Sequence, residues 1–176
     1  MRPRHTDNLV LTIYPFSRGF AFVLFEAPKS PIDWGVKEIK EKHRNDKTMA
    51  GIKILIEKYR PVVIVIEDVG ERRYRRTARV RKLYRMLIKF ADRERIDLHR
   101  IEPHAIWEHF AGTGALTKYE VAKAIVQQLP TFAHRMPRIR KPWMSADPRQ
   151  SLFDSAALGI LFYKLRGIPS PYDGAD

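Results

Sequence analysis

Residues 8–26, NLVLTIYPFSRGFAFVLFE, decide the fold of this chain. Two runs rich in Leu, Val, Ile and Phe, LVLTIYP and GFAFVLFE, are separated by residues 16–18, the length of a hairpin connection. The next segment, IDWGVKEI, keeps a period of two through Ile32, Trp34 and Val36, so the spacing predicts a three-strand meander.

Beyond the meander the period changes. Met49, Ile52, Leu55 and Ile56 recur at helical spacing across residues 46–59, and Pro61 then opens PVVIVIE, whose Val and Ile content suits a strand buried on both faces. After Gly70, the positions Val80, Leu83, Tyr84, Leu87, Ile88 and Ala91 form an apolar stripe under an arginine-dense face, which predicts one basic amphipathic helix. IDLHRIEP reads as another strand and PHAIWEHFAG as a short helix stopped at Gly112. Thr117 and Glu120 have capping-box spacing ahead of a further helix. Residues 130–148 hold prolines and basic residues without periodicity and predict a long loop. Asp147, Pro148 and Gln150 then mark a helix start, and Leu152, Phe153, Ala156, Ala157 and Ile160 give its buried side. A three-strand meander followed by two strand-helix units predicts an α/β fold: a mixed five-stranded sheet flanked by helices. Residues 1–167 are expected to form one domain and residues 168–176 a flexible tail.

The net charge of +13 points to a polyanionic partner, a nucleic acid above all. No apolar run approaches the roughly 20 residues of a membrane span. With no cysteine, disulfide frameworks, zinc-thiolate sites and thiol nucleophiles are excluded, which fits an intracellular protein of the cytoplasm or nucleoid. The six histidines show no metal-ligand spacing with other ligands.

Four ordered segments resemble the RuvC-type Holliday-junction resolvases, a branch of the ribonuclease H-like nucleases. TIYPFSRGFAFVLF is similar to that family's opening strand, turn and second strand: Pro15, Ser17, Gly19 and Phe20 match, whereas Tyr14 and Phe16 stand where the family has aspartate and glycine. VVIVIEDV carries Glu67 at the end of a central strand, as the family's glutamate is placed. IEPHAIWEHFAGTGALTKYEVAKAI resembles the proline-led helix, glycine-x-glycine turn and following lysine, so Gly112, Gly114 and Lys118 carry over. QSLFDSAALGI matches the final aspartate at Asp154, with Ser151 where an acidic or histidine partner is usual.

The resemblance implies a ribonuclease H-like sheet with Tyr14 and Glu67 side by side and the helix of Asp154 crossing over them. In the family such positions bind two magnesium (or manganese) ions that activate water and stabilise the leaving oxygen at a scissile phosphate. Glu67 and Asp154 are the catalytic and metal-ligand candidates so implied. A phenol at residue 14 brings no negative charge near neutral pH, and Phe16 adds bulk beside the space a phosphate would enter. Substitutes are poorly placed. Asp7 lies about 23 Å away along an extended strand. Asp68 serves only if the strand has ended before it. Asp147 is accounted for as a helix cap.

For nucleic-acid contact the candidates are Arg72, Arg73, Arg75, Arg76 and Arg79 in the arginine run, with Gly112, Gly114 and Lys118, where backbone amides, a helix start and a lysine together suit a phosphate. Trp143 and Phe132 either stack on exposed bases or pin the long loop to the core. The expectation is a DNA-binding protein for branched or structured DNA with a degraded two-metal site. The alternatives are an active Mg- or Mn-dependent structure-specific endonuclease, and an RNA-binding or regulatory protein on the same fold. A homodimer follows from the resemblance, since a junction has two-fold symmetry.

Overall fold

The computed structural model describes residues 8–69, 76–145 and 147–168. The meander consists of β1 (Val10–Phe16), β2 (Gly19–Ala27) and β3 (Ser30–Glu38), and α1 (Arg44–Tyr59) leads into β4 (Val63–Glu67). Then follow α2 (Ala78–Arg93), β5 (Asp97–Ile101), α3 (Pro103–Ala111), α4 (Lys118–Gln128), a 3₁₀ turn (Pro130–Arg135) and α5 (Arg149–Leu165). The five strands lie in the order β3-β2-β1-β4-β5. β1–β2 and β2–β3 are antiparallel, while β1–β4 and β4–β5 are parallel, so the sheet is mixed as the meander and the strand-helix units predict.

Alternation along β1 and β4 divides the core into two layers. Leu9, Leu11, Ile13, Ile64 and Ile66 face α1 and α2, meeting Met49, Ile52, Leu83 and Leu87. Val10, Tyr14, Val23 and Val65 face the other way, onto Leu152, Phe153, Ala156 and Leu161 of α5. Each fully buried Leu, Ile or Phe contributes about 1.5–3 kcal/mol against the entropy of ordering the chain.

Helix α5 lies close against the sheet for two local reasons. A Cβ at Gly159 would sit 2.2 Å from the Phe25 ring, so only glycine permits this approach. At the same crossing, Thr12 Oγ1 donates to Val23 O at 3.2 Å and lies 2.8 Å from Ser155 Oγ, which satisfies two buried hydroxyls on facing elements. These contacts fix the height at which Asp154, one residue earlier, passes over β1 and β4.

The irregular segment differs from expectation in its first third. Residues Pro130–Arg135 form a 3₁₀ turn, and Phe132 is fully buried, edge-on to Trp34 at 5.0 Å and to Phe153 at 6.2 Å. Phe132 therefore pins the chain to the core. Helix α5 starts at Arg149 after Pro148, with Asp147 Oδ1 accepting the Arg149 amide at 3.0 Å, one step earlier than a standard side-chain cap. The start of the arginine run, including Arg72, Arg73, Tyr74 and Arg75, and the expected tail beyond residue 168 lie outside the described residues, as does Asp7.

Candidate functional site

The parallel register of β1 and β4 pairs Thr12 with Val65. Two residues further along both strands, Tyr14 and Glu67 come side by side on the face covered by α5. Both line a cleft whose other walls are Pro103, Ile106 and Trp107 of α3, Lys118 and Val121 of α4, and Gln150, Asp154 and Ala157 of α5. The sheet, α3, α4 and α5 thus gather Tyr14, Glu67, Lys118 and Asp154 from four distant parts of the sequence.

Glu67 is 7% exposed and its cation is Arg76. One guanidinium nitrogen, Arg76 Nη2, donates both to the Glu67 carboxylate and to the Tyr14 hydroxyl, the latter at 2.7 Å. The guanidinium carbon also stands 4.9 Å from the centre of the Tyr14 ring, a cation–π geometry. Because the same nitrogen sits between the two oxygens, any metal bridging residues 14 and 67 would have to displace it.

Asp154 is held from the other side of the cleft. Lys118 Nζ lies 3.4 Å from Asp154 Oδ2, and Gln150 lines the cleft beside this carboxylate. The Asp154 side chain is 20% exposed whereas Lys118 is 51% exposed, so the lysine is the partner with freedom to turn elsewhere. Lys118 opens α4 under a complete capping box, with Thr117 Oγ1 accepting the Glu120 amide and Glu120 reaching back to the Thr117 amide.

Electrostatics follow from burial. Desolvation pushes both Glu67 and Asp154 above the usual carboxylate range, although Arg76 and Lys118 respectively pull them down. Burial, with the Asp154 and Glu67 charges nearby, likewise raises the Tyr14 phenol, so it is protonated at every physiological pH. Burial works against the Arg76 charge, but the Tyr14 and Glu67 oxygens around it prevail and hold its pKa above the ordinary arginine value. Within this pair Glu67 is the member that titrates.

Two other candidates fall outside the cleft. Ser151 is 5% exposed and its hydroxyl donates to Pro148 O within the first turn of α5. Gln150, one residue earlier and four before Asp154, lines the cleft in its place. The Asp68 amide donates to Ile101 O and extends the β4–β5 ladder, and its side chain is not part of the cleft wall.

The glycine turn also differs from expectation. Gly114, at φ +88°, makes a left-handed bend in open space, and Gly112 is helical. The amides of residues 112–115 donate to carbonyls of α3, and those of Leu116 and Thr117 to the Glu120 carboxylate. No amide from 112 to 117 is left to cradle a phosphate, so Lys118 is the polar group this segment presents to the cleft. Arg79 is likewise engaged: its guanidinium donates to Ser17 O at 2.6 Å, Phe16 O at 3.1 Å and Asn45 Oδ1 at 3.0 Å, stapling the β1–β2 turn to α1.

The donor set does not fit a two-metal centre. It comprises two carboxylates, a neutral phenol and a guanidinium nitrogen between Tyr14 and Glu67, whereas magnesium requires close, near-octahedral oxygen ligands. Among the described residues no three His, Asp or Glu side chains cluster at metal-binding distance.

The mixed-sheet topology, with the cleft at the ends of β1 and β4, is an α/β fold of the ribonuclease H-like type. Comparison with solved structures places it more closely. The chain superposes on Thermus thermophilus RuvC with a TM-score of 0.64 at 18% identity, covering 93% of this chain and 99% of that one. The T. thermophilus RuvC in complex with a Holliday junction substrate gives 0.63 at 18% identity over the same shares. The yeast mitochondrial Holliday junction resolvase Ydc2 gives 0.61 at 20% identity, covering 93% and 84%. No family model and no curated protein sequence matches the chain. The fold is RuvC-like.

Proposed function

We propose that this protein binds branched or otherwise structured DNA on a RuvC-like scaffold, and that an arginine has taken over the cation position of its ancestral nuclease site. The observation that carries this reading is the single Arg76 nitrogen shared by Tyr14 and Glu67. A charge-assisted pair of this kind neutralises Glu67 without metal and leaves no ligand set for two-metal chemistry. Support for DNA as the partner comes from the net charge of +13 and from the likeness to a RuvC bound to a Holliday junction substrate.

In this reading Lys118 contacts phosphate, and Arg72, Arg73 and Arg75 of the arginine run are assigned the same role from sequence; phosphate contacts position the protein by shape and carry little sequence information. A homodimer would match the two-fold symmetry of a four-way junction. Competition binding tests the proposal: a labelled four-way junction should be bound tightly and salt-sensitively, ahead of linear duplex and of RNA. Affinity no better than for a mononucleotide overturns it, and a preference for RNA would transfer the surface to the third reading, an RNA-binding protein.

One observation favours a second reading. Glu67 and Asp154 face the same cleft, as the ligands of a magnesium- or manganese-dependent endonuclease would. That enzyme would have to expel Arg76 on binding substrate, and its mark would be metal-dependent nicking abolished by Glu67→Gln or Asp154→Asn.

A further inference from the structure

We propose that residues 136–145 form a base-stacking prong, in which Trp143 packs against an unpaired base of bound DNA while Arg138, Arg140 and Lys141 take the flanking phosphates. The inference rests on the DNA-binding reading above and adds to it where unpaired bases are held.

Trp143 is 78% exposed, which is unusual for the side chain with the largest apolar area to hide. Its companion in the same segment, Phe132, is fully buried, so the two aromatics have opposite fates: one fastens the chain and the other is presented. The presentation is built. Pro137 is buried and Met136 packs on the core, fixing one end. At the other end the Arg138 amide donates to Asp147 Oδ2 at 3.1 Å, and Asp147 is itself gripped by the Arg149 guanidinium at 2.7 Å ahead of α5. The tip is closed by the Met144 amide donating to Lys141 O at 3.0 Å, and Arg140 Nε donates to Met144 O at 2.9 Å across the same turn.

The chemistry around the ring selects the ligand. Lys141 Nζ stands 5.4 Å from the Trp143 ring centre, and Arg138 and Arg140 are exposed in the same segment. Ile139 is exposed in the same segment, but the contact made to the ring is a cation's, and a ring with a cation over it in a segment of Arg and Lys suits a base with its phosphates. Paired bases inside a duplex offer no free face to such a ring, whereas a branch point, a frayed end or a single strand does. Asp147 also ties the prong to the helix start that carries Gln150 and Asp154, so the prong and the cleft share one rigid support.

The test is ¹⁹F NMR of the full chain labelled with 5-fluorotryptophan, which has three tryptophans, with Trp143→Phe identifying the resonance, alongside binding of an open four-way junction, single-stranded DNA and blunt duplex. Junction and single strand should shift and broaden the Trp143 resonance, and duplex should leave it unmoved. Trp143→Ala should weaken junction binding roughly tenfold, Trp143→Phe should retain most of it, and Trp143→Leu should behave like alanine, as stacking requires. A junction bound at wild-type strength by Trp143→Ala, with the resonance unmoved, overturns the prong while DNA binding stands. Full rescue by Trp143→Leu also overturns it, in favour of an apolar protein contact. No DNA binding by the wild type removes both readings.

Discussion

Arg76 Nη2 lies 2.7 Å from the Tyr14 hydroxyl, and its guanidinium carbon lies 4.9 Å from the centre of the Tyr14 ring. Tyr14 is thus a partner for an arginine. Both ends of the tyrosine are used: the ring takes the cation's face, and the oxygen takes one of its hydrogens. Glu67 accepts from the same nitrogen, so its remaining charge is met from within the chain.

Removing that cation should destabilise the fold through Glu67. Arg76→Met leaves a carboxylate buried at 9% side-chain exposure without its partner. A loss of about 3–5 kcal/mol is expected by denaturant unfolding. The double variant Arg76→Met/Glu67→Gln should recover most of it, and a double-mutant cycle measures the coupling. Equal losses in the single and double variants would show that the pair does not act as a unit.

Two aspartates should give opposite pH signatures. Burial raises the Asp154 pKa above its ordinary 3.8, so its contribution to stability is full below that value and is lost as pH rises through the folded pKa. Asp154→Asn should therefore be more stable than wild type at neutral pH, the difference vanishing at about pH 3. The Arg149 side chain holds Asp147 down to about 2, so its contribution is present above 3.8 and lost as pH falls through about 2. Asp147→Asn should be less stable than wild type at neutral pH and indistinguishable from it at strongly acidic pH. Calorimetric Tm values across that range check both signs.

Lys118 should exchange Asp154 for phosphate. Its ammonium is half exposed and 3.4 Å from the carboxylate, a loose pair that a strand in the cleft can outbid. Lys118→Ala should weaken junction binding at every sequence tested and reduce the salt dependence, log affinity against log salt, by about one. An unchanged slope would place Lys118 away from the backbone.

An aspartate placed at residue 14 should not by itself create metal binding. In Tyr14→Asp the guanidinium would face two carboxylates in place of one and be held more firmly. Calorimetric titration with manganese should show no binding to wild type or Tyr14→Asp, and measurable binding to Tyr14→Asp/Arg76→Ala. Metal binding by Tyr14→Asp alone would mean that Arg76 yields readily.

Most of the scaffold was legible because it rests on local periodicity. The alternation in residues 8–26, the apolar run before Glu67 and the Thr117–Glu120 capping box each specify an element without reference to the rest of the chain. Glu67 and Asp154 were legible as strand-end and helix positions, and the structure brings both to one cleft. What sequence could not give was partner choice. Arg76 is one arginine in a dense run, and only the placement of α2 decides that it reaches Tyr14 and Glu67 while Arg79 staples a turn. Gln150 had a readable signal in its four-residue spacing from Asp154, but Ser151 satisfies the three-residue spacing equally well. The bond from Ser151 to Pro148 O, a tertiary detail of how α5 begins, settles between them. Trp107 joins the cleft through the packing of α3, which no pattern along the chain encodes.

Strand cleavage tests the central claim most directly, that an internal guanidinium and not a metal serves the Tyr14–Glu67 position. Purified wild-type protein would be incubated with a labelled four-way junction in magnesium, in manganese and in chelator, and the strands resolved on a denaturing gel beside a binding measurement. The expected result is tight binding in all three conditions with every strand intact. Metal-dependent nicks that disappear in Glu67→Gln would contradict the account and make the protein a nuclease in which Arg76 moves aside.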